Sequence, residues 1–91
     1  MKDMKFTLFT PNCKFDTLEC DSVILSIADN TDGAFSGLYG IRKGHAKAIF
    51  SLNNGKVSVS LSGKEIFSAE CMGGFAKIEN DDVRVVVDGI I

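Results

Sequence analysis

Apolar and polar residues alternate with a period of two, cut at short intervals by turn residues, and this constrains the chain more than any other feature. Val57, Val59 and Leu61 alternate with Ser58 and Ser60. Val83, Val85 and Val87 alternate with Asp82, Arg84 and Asp88, with Val86 interrupting the polar set. Successive side chains of a strand point to opposite faces, so this is the pattern of half-buried strands. Val23, Leu25 and Ile27 alternate as well, while Ile24 on the other parity predicts a strand covered on both sides for part of its length. An amino-terminal strand over residues 5–9 should stop at Thr10-Pro11, because proline lacks the ladder donor. Asp32-Gly33, Ser36-Gly37, Asn54-Gly55, Ser62-Gly63 and Asn80-Asp81 separate the apolar runs. Asn54-Gly55 is the strongest hairpin cue, since tight turns need positive φ. Gly73 and Gly74, between two apolar runs, read as a bulge or a sharp corner. Residues 45–52 are the one stretch with helical potential. The spacing of Ala46, Ala48, Phe50 and Leu52 is two, so they predict a strand. Many short strands without a helix of useful length mean an all-β sandwich or barrel.

Length and charge narrow the functional classes. The 91 residues suit one domain, residues 1–91. Hydrophobic residues make up 45% and charged ones 24%, a balance that can build a core and that disordered chains lack. The net charge is −2 and the Lys and Arg residues are scattered, so the clustered cations that bind nucleic acid are missing. No apolar run approaches the ~20 residues of a membrane-spanning helix, and Met1-Lys2-Asp3-Met4 does not open a signal peptide. Cys13, Cys20 and Cys71 are odd in number and show no Cys-x-x-Cys spacing, which predicts neither a disulfide framework nor a zinc knuckle. Cys20 and Cys71 are expected in or near the core and Cys13 at the surface.

Each chemical candidate has a plainer structural reading. His45 is the only histidine. A catalytic triad needs a nucleophile and an orienting acid, and no Gly-x-Ser-x-Gly elbow occurs. One histidine cannot hold zinc without two or three further ligands. His45 is therefore expected to fix a loop through hydrogen bonds. Gly37, Gly40 and Gly44 lack both the dinucleotide fingerprint and a following Lys-Ser/Thr, and read as turn glycines. Residues 29–33 are acidic, but calcium-loop numbering from Ala28 puts Tyr39 where the bidentate glutamate belongs. No cofactor and no metal are expected.

Four segments then gain meaning together: Thr10-Pro11; Cys20-Asp21-Ser22-Val23-Ile24-Leu25; Gly40-Ile41-Arg42-Lys43-Gly44-His45-Ala46; and Met72-Gly73-Gly74-Phe75-Ala76-Lys77-Ile78. In this order, over nearly the whole chain, they resemble the amino-terminal domain of the epsilon subunit of F-type ATP synthases, called delta in mitochondria. The family's text runs Thr-Pro, Val-Asp-Ser-Val-x-Leu, Gly-x-x-Gly-Ile-x-Pro-Gly-His-Ala and Gly-Gly-Phe. The resemblance implies a flattened two-sheet antiparallel β-sandwich of about ten short strands. It also implies a non-catalytic central-stalk (rotor) subunit, docking on the gamma subunit and the c-ring to couple ion flow to ATP synthesis. The protein would then be cytoplasmic, peripheral to the membrane through the complex, and in isolation a monomer or weakly self-associating.

Carried over by position, Thr10 matches a contact near gamma and the ring. Leu38, Tyr39, Gly40, Ile41, Arg42, Lys43, Gly44 and His45 match the loop facing the ring, and Phe50 a position on the gamma side. Asn54, Gly55, Gly73 and Gly74 are structural turn residues. Several positions depart from the family text. Lys43 and Lys47 stand where the family has proline, Leu38 replaces a usual acidic residue, and residues 29–36 form a longer connection. Ile91 ends the chain before the family's helical hairpin, so the hairpin's restraint of ATP hydrolysis is not expected here. The competing reading is a free-standing β-sandwich interaction or ligand-binding module diverged from the synthase.

Overall fold

The computed structural model of the protein describes residues 4–29 and 35–91. The described residues form ten strands and no helix: β1 (Met4–Thr10), β2 (Cys13–Lys14), β3 (Leu18–Cys20), β4 (Ser22–Asp29), β5 (Phe35–Arg42), β6 (Ala48–Leu52), β7 (Gly55–Leu61), β8 (Lys64–Cys71), β9 (Gly74–Glu79) and β10 (Asp82–Val87). They are hydrogen-bonded in one path, β2-β1-β10-β9-β6-β4-β7-β8, with β3 on β1 and β5 on β4. The path curls so that two halves face each other. β1, β2, β3, β6, β9 and β10 make one half, β4, β5, β7 and β8 the other, and among the described residues β4 and β6 pair at Ile27↔Leu52 alone. The result is flattened, 38 × 29 × 21 Å.

Inward-facing residues of both halves make one core. Met4, Phe6 and Leu8 of β1, Ile78 of β9 and Val83, Val85 and Val87 of β10 are buried with Val23, Leu25 and Ile27 of β4, Ile41 of β5 and Val57 and Val59 of β7. Phe67 of β8 meets both Phe6 and Phe15 at 6.0 Å between ring centroids. Burying one such side chain contributes about 1.5–3 kcal/mol. An exposed ion pair such as Lys47–Glu79 (3.5 Å) contributes only about 0–1 kcal/mol. The apolar faces therefore decide stability. Cys20 and Cys71 lie in this core and Cys13 is exposed, as expected.

The chain passes between the halves at corners, from β6 to β7 and from β8 to β9. β6 and β7 do not pair with each other: β6 lies on β9, β7 on β8, and both meet β4. Asn54-Gly55 is thus a corner rather than the expected hairpin. Its glycine is required by close approach, since a Cβ there would fall 2.9 Å from Ser26 Cβ. β8 and β9 bend beside it at Met72-Gly73. The Gly73 N–H donates to Asn54 Oδ1 at 2.7 Å, and a Cβ on Gly74 would strike the Val86 carbonyl. Sandwich corners are commonly made by such sheet-switching bends. The true two-residue hairpins are Ser62-Gly63 and Asn80-Asp81, with positive φ at both positions of each pair.

Other expectations shift in detail. Among the described residues every ladder is antiparallel except β1 on β10, which is parallel (Phe6↔Val83, Leu8↔Val85). Turn chemistry specifies only consecutive pairings, whereas this one joins the first strand to the last, with the intervening chain as the crossover. The strand predicted over residues 45–52 begins at Ala48, because the preceding residues form a turn. Ile24 is not covered on both sides: it lies on the outer face beside Gly40 and Ser58 and is 37% exposed. Residues 30–34 of the expected longer connection lie outside the described residues. The strands flanking them pair as far as Asp29↔Phe35.

Candidate partner-binding site

β5 and the turn after it present residues in two directions. Ile41 and Tyr39 oppose Val23 and Leu25 and face inward, whereas Leu38, Gly40 and Arg42 oppose Ser26, Ile24 and Ser22 and face outward. Ile41 is fully buried, so its side chain belongs to the core and not to a contact surface. Leu38 is 69% exposed. At the end of β5 the His45 N–H donates to the Arg42 carbonyl at 3.2 Å, and Gly44 has φ +85°. A bond from the fourth residue to the first, with positive φ at the third alone, defines a type II turn, Arg42-Lys43-Gly44-His45. Arg42, Lys43 and Gly44 are exposed at its apex.

The turn is braced from behind. Tyr39 reaches across the open edge of the sandwich to Phe50 of β6, 4.9 Å between ring centroids. His45 stands edge-on to both rings, at 5.7 Å from Tyr39 and 6.2 Å from Phe50. Its Nδ1 lies 2.7 Å from the Ala46 carbonyl, and its Nε2 lies 2.8 Å from the Tyr39 hydroxyl. A carbonyl only accepts, so Nδ1 carries the proton; in the neutral ring Nε2 then accepts from the Tyr39 O–H. Both ring nitrogens are engaged in holding the loop. Among the described residues no group of three or more His, Cys, Asp or Glu is arranged to hold a metal ion.

A second strut was not visible in the sequence. Asp81 Oδ1, in the β9–β10 hairpin, accepts the Gly44 N–H at 2.7 Å. The two residues are 37 positions apart, and Asn80-Asp81 reads in sequence only as a turn. Beside this strut the outer face carries Lys5, Lys77 and Arg84 among Glu79, Asp81 and Asp82. Arg84 pairs with Asp82 at 3.2 Å and Lys77 with Glu79 at 3.7 Å.

The structure does not bring Thr10 to this site. The Lys5 N–H donates to the Asp81 carbonyl, so the turn lies near the start of β1. Thr10 closes the other end of that strand, about 17 Å away at ~3.4 Å per residue, where its hydroxyl donates to the Cys13 carbonyl. Asn54, Gly55, Gly73 and Gly74 sit at the corners described above, again away from the turn. Leu38, Tyr39, Gly40, Arg42, Lys43, Gly44, His45 and Phe50 do form one neighbourhood, as an exposed face and apex with an aromatic brace.

A family model described as "ATP synthase, Delta/Epsilon chain, beta-sandwich domain" matches residues 3–91. The ATP synthase epsilon chain of Chlorobium limicola is 33% identical over 89 residues, covering 98% of this chain and 93% of that one. The epsilon chain of Gloeothece citriformis is 43% identical over 54 residues, covering 59% of this chain and 38% of that relative. The alignment thus spans well under half of the longer relative. Among solved structures, a chain of the Euglena gracilis mitochondrial ATP synthase (OSCP/F1/c-ring) superposes with TM-score 0.81 at 18% identity, covering 100% of this chain and 54% of that one. A chain of the Tetrahymena thermophila mitochondrial ATP synthase (central stalk/c-ring) gives TM-score 0.74 at 13% identity, covering 100% and 69%. At these identities the two superpositions speak for the fold alone.

Proposed function

Since the chain belongs to the β-sandwich family of ATP synthase delta/epsilon chains, we propose that it is a non-catalytic central-stalk subunit that docks on the gamma subunit and the c-ring and helps couple ion flow to ATP synthesis. The observation that carries the reading to particular residues is the braced turn. Its apex offers two adjacent cations, Arg42 and Lys43, on a backbone held by Tyr39, His45 and Phe50. A surface that must transmit torque benefits from such preorganisation, because little freedom is lost on docking. Leu38 and Gly40, on the outer face of the same strand, extend the contact next to the turn. Thr10, at the far end of β1, would belong to a separate contact. No described helix is long and apolar enough to cross a membrane; as a subunit docked on gamma and the c-ring, the chain would associate with the membrane through those partners. The free-standing module has no specific observation in its favour.

The test is docking onto a purified gamma–c-ring complex over a range of salt concentrations. Exposed charges act mainly on association rate and are screened by salt. Replacing Arg42 and Lys43 together by Gln should slow association at low salt and flatten the salt dependence, with the fold unchanged. His45→Ala should instead lose affinity at every salt concentration, because it removes the brace. An unaltered salt dependence in the double variant would exclude the turn from the interface.

A further inference from the structure

We propose that Asp81 is a positioning residue for the docking turn, its carboxylate pinning the Gly44 N–H so that Arg42, Lys43 and His45 are held in one orientation. The first observation is a local conflict. Asn80 and Asp81 both have positive φ, 52° and 61°, in a two-residue hairpin whose second position suits glycine best. A residue bearing a Cβ is disfavoured there, so the Asp81 backbone carries a local cost that a contact of its side chain can offset. The second observation answers it. The Asp81 carboxylate reaches out of its hairpin to Gly44, at a charge-assisted distance of 2.7 Å. The same residue's carbonyl accepts the Lys5 N–H at 2.9 Å, so Asp81 is itself fastened to β1.

The topology gives the contact its consequence. β5 leads into the turn from one half of the curled sheet, and the β9–β10 hairpin closes the other half. Between Arg42 and Ala48 the chain is out of the ladder except for its own turn bond. His45 braces the turn on its inner side through Tyr39. Asp81 fixes the opposite flank, at the glycine whose backbone freedom is greatest. With both struts in place the apex can neither rock about β5 nor swing away from the first half of the sheet.

The functional side of this inference rests on the docking reading above, so the test has two arms. In the isolated chain, amide hydrogen exchange at Gly44 and His45 is compared between the native protein, Asp81→Gly and Asp81→Asn. Asp81→Gly removes the acceptor and relaxes the backbone. Exchange at Gly44 should rise at least tenfold while the denaturation midpoint stays level or increases. Asp81→Asn keeps an acceptor oxygen and a residue tolerant of positive φ, and should retain most of the protection. Unchanged exchange at Gly44 in Asp81→Gly would overturn the proposal outright, whatever the chain docks on. In the second arm, Asp81→Gly should weaken docking on the gamma–c-ring complex at every salt concentration, and Asp81→Asn should restore it. Loosened exchange with undiminished docking would overturn the positioning role, and the docking reading would stand on its own test.

Discussion

Single residues in this protein are constrained by what lies opposite them, and the glycines show it best. Gly55 does not have a left-handed backbone; it is small because Ser26 of β4 passes it. Gly55→Ala should therefore cost about 1–3 kcal/mol in urea denaturation, the usual range for an overpacked site. Ser26→Gly removes both atoms in the way, Cβ at 2.9 Å and Oγ at 3.0 Å, so in that background the alanine should cost little more. If the two costs simply add, the close approach is not what demands glycine. At Gly74 no truncation can help, because the obstructing atoms are the Val86 and Val87 backbone. The sequence pair Asn54-Gly55 was legible as a place where the chain turns. The kind of turn was not, because a corner and a hairpin use the same residues and differ only in which strands lie alongside.

The decisive element is the type II turn from Arg42 to His45. Its second residue, Lys43, occupies the position where type II turns favour proline, and Arg42 before it is extended, as the residue before proline must be. No hydrogen bond of the Lys43 N–H would be lost among those found in the turns and loops. Lys43→Pro should accordingly stabilise the protein by roughly 0.4–1 kcal/mol, through fewer unfolded conformations, with the midpoint of chemical denaturation as readout. A lower midpoint would mean that Lys43 does not have the φ of a type II turn. Much of this element could be read in advance: Gly44 as a turn glycine and His45 as a loop-fixing residue follow from composition and motif. The brace could not, because Tyr39 and Phe50 flank the turn in sequence at strand spacing and meet only when the two halves of the sheet close.

At the scale of the molecule, one core fastens two half-sheets, and Cys20 and Cys71 lie within it while Cys13 lies outside. A thiol reagent at neutral pH should label Cys13 quickly, and Cys20 and Cys71 only as fast as the chain unfolds. Uniform labelling of all three thiols in the native protein would contradict a single closed core. Burial pushes the Cys71 thiol above its ordinary range, with the Glu70 charge adding to the effect. The unfolded chain therefore loses this proton first. The contribution is complete below the unfolded thiol pKa of about 8.5 and is lost as pH rises through the higher native value, so stability should decline on the alkaline side. A native state whose denaturation midpoint is flat from neutral to strongly alkaline pH would count against it.

The sequence by itself determined the all-strand class, the inward faces of β4, β7 and β10 and the places where the chain turns, because period-two alternation and glycine-bearing turns are local properties that each segment carries alone. It also carried the family text, in four short segments that can each be read locally. Only the tertiary structure decided that β1 lies parallel to β10, that the chain passes from one half-sheet to the other between β6 and β7, and that Ile41 is core while Arg42 is surface. It alone brought Asp81 to Gly44 and separated Thr10 from the turn. The physical reason is the same in each case. Pairing between strands distant in sequence, and the contacts of side chains at sheet edges, are selected by burying one shared core, and that selection leaves no mark on any local stretch of the chain.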